Sequence, residues 1–76
     1  MKRLTVDETD IEVRMVSMGR GVQKFVREKG ITVGDFLDQM GVDQTMDFRV
    51  NGALSERSRS LEHGDQVLIV PKIKGG

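Results

Sequence analysis

Along residues 11–16, Ile-Glu-Val-Arg-Met-Val, apolar and charged positions alternate. This is the period of a strand with one buried face, and it points Ile11, Val13 and Met15 inward. Ser17-Met18-Gly19-Arg20-Gly21 then predicts a hairpin turn, because its glycines accept the positive φ that tight turns require. Residues 22–28 predict the return strand. Their register stays open, since Val22 and Val26 share one face with Lys24 while Phe25 lies on the other.

The next segment changes period. Val33, Phe36, Leu37 and Met40 fall at i, i+3, i+4 and i+7 and form one apolar stripe of a short helix. Thr32 suits the N-cap, Asp35 three residues later approximates a capping box, and Gly41 suits the left-handed residue that ends a helix. Met46-Asp47-Phe48-Arg49-Val50 returns to alternation, and Asn51-Gly52 is the strongest short hairpin signal. Residues 53–60 are polar and predict a short strand followed by a loop. Leu61 is an apolar anchor before the Gly64 turn, and residues 66–71 form the last strand, with Val67 to Val70 unbroken.

A hairpin, one helix and further strands predict an α+β fold. The expected arrangement is a β-grasp: a mixed sheet of four to five strands with one main helix packed on one face. Residues 11–71 would be the domain, residues 1–10 an extension or extra strand, and residues 72–76 a flexible tail. At 76 residues there is room for one small core, burying about 60% of the surface the unfolded chain exposes.

Composition removes several function classes. Twelve basic and twelve acidic residues give zero net charge, without the basic stripe expected of a nucleic-acid or membrane binder. Three Phe and no Trp or Tyr do not make a base-stacking platform. No apolar run approaches the ~20 residues of a membrane span, so the expectation is a soluble cytoplasmic protein, monomeric when free. Without cysteine there is no disulfide, thiolate metal site or cysteine nucleophile. Asp7, Glu8 and Asp10 read as a solvated turn, His63 has neither a second His or Cys for zinc nor an evident orienting partner, and Gly19-Arg20-Gly21 is too short for a phosphate loop. Met15, Met18, Met40 and Met46 read as core or edge filling. No catalytic residue, metal or bound cofactor is expected on this chain.

The last strand points elsewhere. If Val67 and Ile69 face the helix, Leu68 and Val70 face away, where polar residues are expected. Either a central strand tolerates two exposed aliphatics, or the N-terminal segment covers them, or they belong to a partner surface. Arg49 shares that outer face by alternation. Pro71 lacks an amide donor and is expected to end the ladder, releasing Lys72 to Gly76 as a tail of at most ~17 Å. Gly75 and Gly76 present no side chain, so such a tail can enter a channel that excludes any Cβ and deliver the α-carboxylate of Gly76.

The ordered set V-N-G at 50–52, L-E-H-G-D-Q-V at 61–67, Pro71 and Gly75-Gly76, with I-T-V-G-D-F-L-D-Q-M-G-V at 31–42, resembles the ThiS/MoaD sulfur carriers, the prokaryotic ubiquitin-like proteins. The resemblance covers residues 31–76 well and the preceding hairpin loosely. It implies a β-grasp fold and a C-terminal glycine, Gly76, adenylated by a ubiquitin-activating-type adenylyltransferase that consumes ATP. Conversion to a thiocarboxylate and delivery to a sulfur-accepting synthase follow, for thiamine, molybdopterin, tRNA or amino-acid biosynthesis. It assigns clearance to Gly75 and partner contacts to Arg49, Leu68, Val70, Lys72, Ile73 and Lys74. The basic Lys72-Ile73-Lys74 departs from the small apolar residues common before the diglycine in that family. A modifier conjugated to lysines therefore stays open beside the carrier, as does a non-covalent interaction module.

Overall fold

The computed structural model describes residues 9–43 and 45–72. The elements are β1 (Asp10–Ser17), β2 (Gly21–Glu28), α1 (Val33–Gln39), β3 (Met46–Val50) and β4 (Gln66–Pro71). They form a four-stranded sheet in the order β2-β1-β4-β3. The two outer pairs are antiparallel and the central β1–β4 pair is parallel, so the sheet is mixed and the architecture is the expected α+β β-grasp. No described helix is long and apolar enough to cross a membrane.

Alternation decides the buried face. Ile11, Val13 and Met15 from β1, Val67 and Ile69 from β4, and Val50 from β3 meet Val33, Phe36 and Leu37 of α1 in one core, with Leu61 as its anchor from the loop. Pairing resolves the register of β2: Val13 lies opposite Phe25, so Phe25 turns inward and Val22 and Val26 turn outward. Phe25 meets Phe36 edge-on, with ring centroids 5.8 Å apart. The Arg27 guanidinium lies 5.3 and 5.7 Å from those ring centroids and donates to Gln39 Oε1 at 2.7 Å. A cation stacked on ring faces closes the core edge while keeping its own charge solvated.

The helix is short because both ends are capped within a few residues. The Asp35 amide donates to Thr32 Oγ1 at 3.1 Å. At the other end Gly41 has φ +74°, its amide donates to the Asp38 carbonyl, and Val42's amide reaches Leu37's carbonyl. These two bonds make a Schellman motif, which satisfies carbonyls the helix itself leaves free. The first two helical amides, Val33 and Gly34, donate to the carbonyls of Arg59 and Arg57, both at 2.8 Å. Those bonds explain why residues 53–60 are not the expected strand. Ala53 makes one bridge to Val50 across the Asn51-Gly52 turn, and the chain then crosses to the helix N-terminus instead of extending the sheet. The described sheet accordingly has four strands.

Two further expectations change. Residues 1–8 of the expected extension lie outside the described residues, and β1 begins at Asp10, inside the segment 1–10. Pro71 does not release the chain. It lies opposite Met46, and the next amide, Lys72, donates to the Thr45 carbonyl at 3.1 Å. Proline forfeits only its own donor, so the following amide can still be held by the edge of β3.

Candidate functional site

β4 occupies the centre of the sheet, and its alternation turns Leu68 and Val70 to the face opposite α1. Register then builds a row across all four strands: Val22 opposite Val16, Val16 opposite Leu68, Leu68 opposite Arg49. Val22 is 59% exposed, and Val16, Leu68 and Arg49 are half-buried. The adjacent row is Lys24, Arg14 and Gln66, and on the other side Val70 lies opposite Asp47. Three cations, Lys24, Arg14 and Arg49, thus border an aliphatic row. Such a surface suits a partner patch that is apolar at its centre and acidic at its rim.

Sequence reasoning put Arg49, Leu68 and Val70 on one face and missed Val16 and Val22 as their neighbours. The ambiguous β2 pattern hid them, although β1's alternation already turned Val16 outward. Lys72, exposed, stands at the edge of β3, one residue beyond the last residue of β4. Ile73, Lys74, Gly75 and Gly76 lie outside the described residues. Since Lys72 is held by Thr45, the segment beyond it is four residues, spanning at most ~14 Å when extended, less than the sequence alone suggested.

The exit of β4 is fixed from its other end by a lock between two turns. Asp65 is only 7% exposed. Its Oδ1 accepts from Asn51 Nδ2 at 2.9 Å, and its Oδ2 accepts from the Glu62 amide at 2.8 Å, with Arg59 at 3.5 Å. Asn51 Oδ1 in turn accepts from the Gln66 amide at 3.0 Å. Asn51 and Gly52 have φ of +53° and +83°, the left-handed pair a two-residue hairpin of this type requires and that asparagine tolerates best among residues with a side chain. The V-N-G and L-x-x-G-D-x-V stretches are therefore two halves of one hydrogen-bonded unit that sets where β4 starts. His63 has a partner after all: its Nδ1 accepts from the Glu12 amide at 3.1 Å, and Gly64's amide donates to the Glu12 carbonyl. This ties the turn to β1 just before the β1–β4 ladder begins.

Asp43 and Thr45 shape the approach to Lys72. The Thr45 hydroxyl, then the Thr45 amide, donate to Asp43 Oδ1 and hold this exposed carboxyl below the ordinary aspartate value. A lowered folded value stabilises the turn above the pH where an unfolded aspartate titrates, and that contribution is lost as pH falls through the folded value. In a carboxyl-detected NMR titration, Asp43 should have a midpoint below the ordinary aspartate value. Replacement Thr45→Val should raise it, and an unchanged midpoint would show that the hydroxyl does not set it. Among the described residues, no group of three or more His, Cys, Asp or Glu converges as a metal site would require.

Comparison with known proteins places this geometry. Among curated proteins none matches the sequence. The Haloferax volcanii HVO 2177 protein has the same fold at TM-score 0.77 and 20% identity, covering 92% of this chain and 91% of that one. SAMP1 from Haloferax volcanii superposes at TM-score 0.64 and 18% identity, over 88% of this chain and 99% of that one. Caldiarchaeum subterraneum ubiquitin does so at TM-score 0.64 and 14% identity, with the same coverages of 88% and 99%. At these identities the likeness establishes the ubiquitin-like fold. The family model described as ThiS family matches residues 15–76, from the middle of β1 through the outer-face row, the lock and the diglycine. By that match the chain belongs to the ThiS family, as a small ubiquitin-like protein of the carrier or modifier type.

Proposed function

We propose that this protein is a sulfur carrier whose acyl group is the carboxylate of Gly76. An activating adenylyltransferase binds the sheet's outer face while the tail enters its active site. The Gly76 carboxylate attacks the α-phosphorus of ATP, forming an acyl-adenylate and releasing pyrophosphate. Hydrosulfide then adds to the acyl carbon and AMP leaves, giving the thiocarboxylate. From a persulfide donor the first product is an acyl disulfide, which a thiol cleaves to the same thiocarboxylate. The sulfur then passes to an acceptor held by a synthase, in the biosynthesis of a cofactor such as thiamine or molybdopterin, of a modified tRNA base or of an amino acid.

What this chain contributes is presentation. The observation that carries the reading is the continuity of β4: one strand bears Leu68 and Val70 on its outer face and leads straight to Lys72, four residues before the terminal Gly76. Docking energy gathered on that row is thus spent within reach of the reacting carbonyl. Intact mass tests it. After incubation with ATP, a sulfide source and the cognate adenylyltransferase, the chain should gain the difference between one sulfur and one oxygen. An unchanged mass with a partner proven active on another carrier would refute it.

Leu68→Asp places a charge in the middle of the aliphatic row and should raise the KM for activation by at least about tenfold, the scale of losing one interface anchor, with kcat little changed. Equal KM would remove this face from the docking surface. The basic Lys72-Ile73-Lys74 favours a second reading, a modifier joined through Gly76 to lysines of other proteins. Adducts of high mass that resist reduction and contain a Gly76–lysine isopeptide would select it over the carrier.

A further inference from the structure

Four methionines from four parts of the chain converge on one cleft, which the proposed function leaves unused. Met15 and Ile69 line its core side. Met18 comes from the β1–β2 turn, Met40 from the end of α1 and Met46 from the start of β3, and the cleft holds about 440 Å³. Met18 is 79% exposed, Met40 and Met46 half-buried, and Met15 buried. Ser17, the residue after Val16 on β1, also lines the cleft. Its Oγ is the one buried side-chain oxygen or nitrogen without a hydrogen-bond partner among the described residues. Thr45 and Pro71 line the same cleft, and Thr45's carbonyl holds the Lys72 amide.

From these observations we propose that the cleft is an anchor pocket for one aromatic side chain supplied by the activating partner. The proposal rests on Gly76 being the reacting end. Four residues separate Lys72 from that end's last atom, so an enzyme holding Gly76 stands within ~14 Å of Lys72, and the cleft lies beneath its footprint. Thioethers are polarizable, adapt their rotamers to the inserted shape and contact ring edges favourably. A wall of unbranched methionines therefore fits a flat ring better than it fits a rigid aliphatic. The outer-face row and this cleft then grip the partner on either side of β4, the strand that leads to Lys72.

The test uses the full chain with its methionine ε-methyls labelled with carbon-13, titrated with N-acetyltyrosinamide, N-acetylphenylalaninamide and N-acetylleucinamide. The tyrosine amide should give saturable upfield shifts of the Met15, Met18, Met40 and Met46 methyls, from the ring current. The phenylalanine amide should do the same, and the leucine amide should bind weakest. Shifts that do not saturate, or that leave the Met15, Met40 and Met46 methyls unmoved, would overturn the pocket. Equal binding of the three amides would overturn its aromatic character. In the activation assay, Met46→Glu should raise KM about tenfold with kcat retained, the size of one buried anchor, and an unchanged KM would overturn the partner assignment. If the wild-type chain is never adenylated, the Gly76 reading fails, whereas the amide titration still decides the cleft.

Discussion

A chain lacking Gly76 should melt as cooperatively as the intact protein, at the same temperature, yet accept no adenylate. The described core side chains lie between Ile11 and Ile69, and the last backbone bond described is that of Lys72 to Thr45. Deleting Gly76 removes none of those residues, so the core is expected to stay whole. Activity is another matter. The carboxylate of the shortened chain would sit on Gly75, one residue or ~3.5 Å short of the enzyme's phosphorus, and a misplacement of only 1 Å already costs about a hundredfold in rate. The expected result is loss of exchange between ATP and pyrophosphate to background, with unchanged thermal unfolding. Retained exchange would mean the reacting acyl group is not that of Gly76. A broadened or shifted melt would mean that the tail belongs to the folded unit.

Such a separation of tail from core was legible because β4 is written in a code with few readings. Val67 and Ile69 alternate with Leu68 and Val70, and proline follows. Where the helix lies was equally legible, from the 3.6-residue stripe between Thr32 and Gly41. The face of β2 was not. Val22, Phe25 and Val26 fit neither period cleanly, and pairing with β1 decided between them by setting Phe25 against the rings and cation of the core edge. Residues 53–60 misled for a different reason: their carbonyls are claimed by helix amides more than twenty residues earlier, a non-local bond that no local pattern encodes. The methionine cleft lay hidden in the same way. Each methionine alone reads as filler, and only the sheet order brings the turn after β1, the end of α1 and the start of β3 to one opening. The last residue held by the sheet moved from Pro71 to Lys72 because a proline silences its own amide and leaves the next one free to bond.

The lock at Asp65 should carry the largest single-residue effect on stability outside the apolar core. Asp65→Ala removes an acceptor from two donors at once, the Asn51 side-chain amide and the Glu62 main-chain amide, in a site with little access to water. A hydrogen bond to a charged acceptor contributes about 1.5–3 kcal/mol and both of these are part-buried, so a loss of roughly 2–4 kcal/mol is expected. Against a total of about 5–15 kcal/mol for a domain, that is a large fraction, and the midpoint of urea unfolding should fall accordingly with little change in slope. Asp65→Asn separates geometry from chemistry. The asparagine can still accept from Asn51, but its NH2 then faces the Glu62 N–H, donor against donor, so it should be destabilising although nearly isosteric. Asn51→Gly keeps the positive φ of the turn while deleting the amide, and it makes the second arm of a double-mutant cycle with Asp65→Ala. Because the two side chains are bonded directly, the double variant should lose less than the sum of the singles, by 0.5 kcal/mol or more on the usual scale of contacting pairs, about the least such pairs show. Additive losses would mean that the two turns are held separately. The start of β4, and through it the placement of Leu68 and Lys72, would then owe nothing to the contact between them.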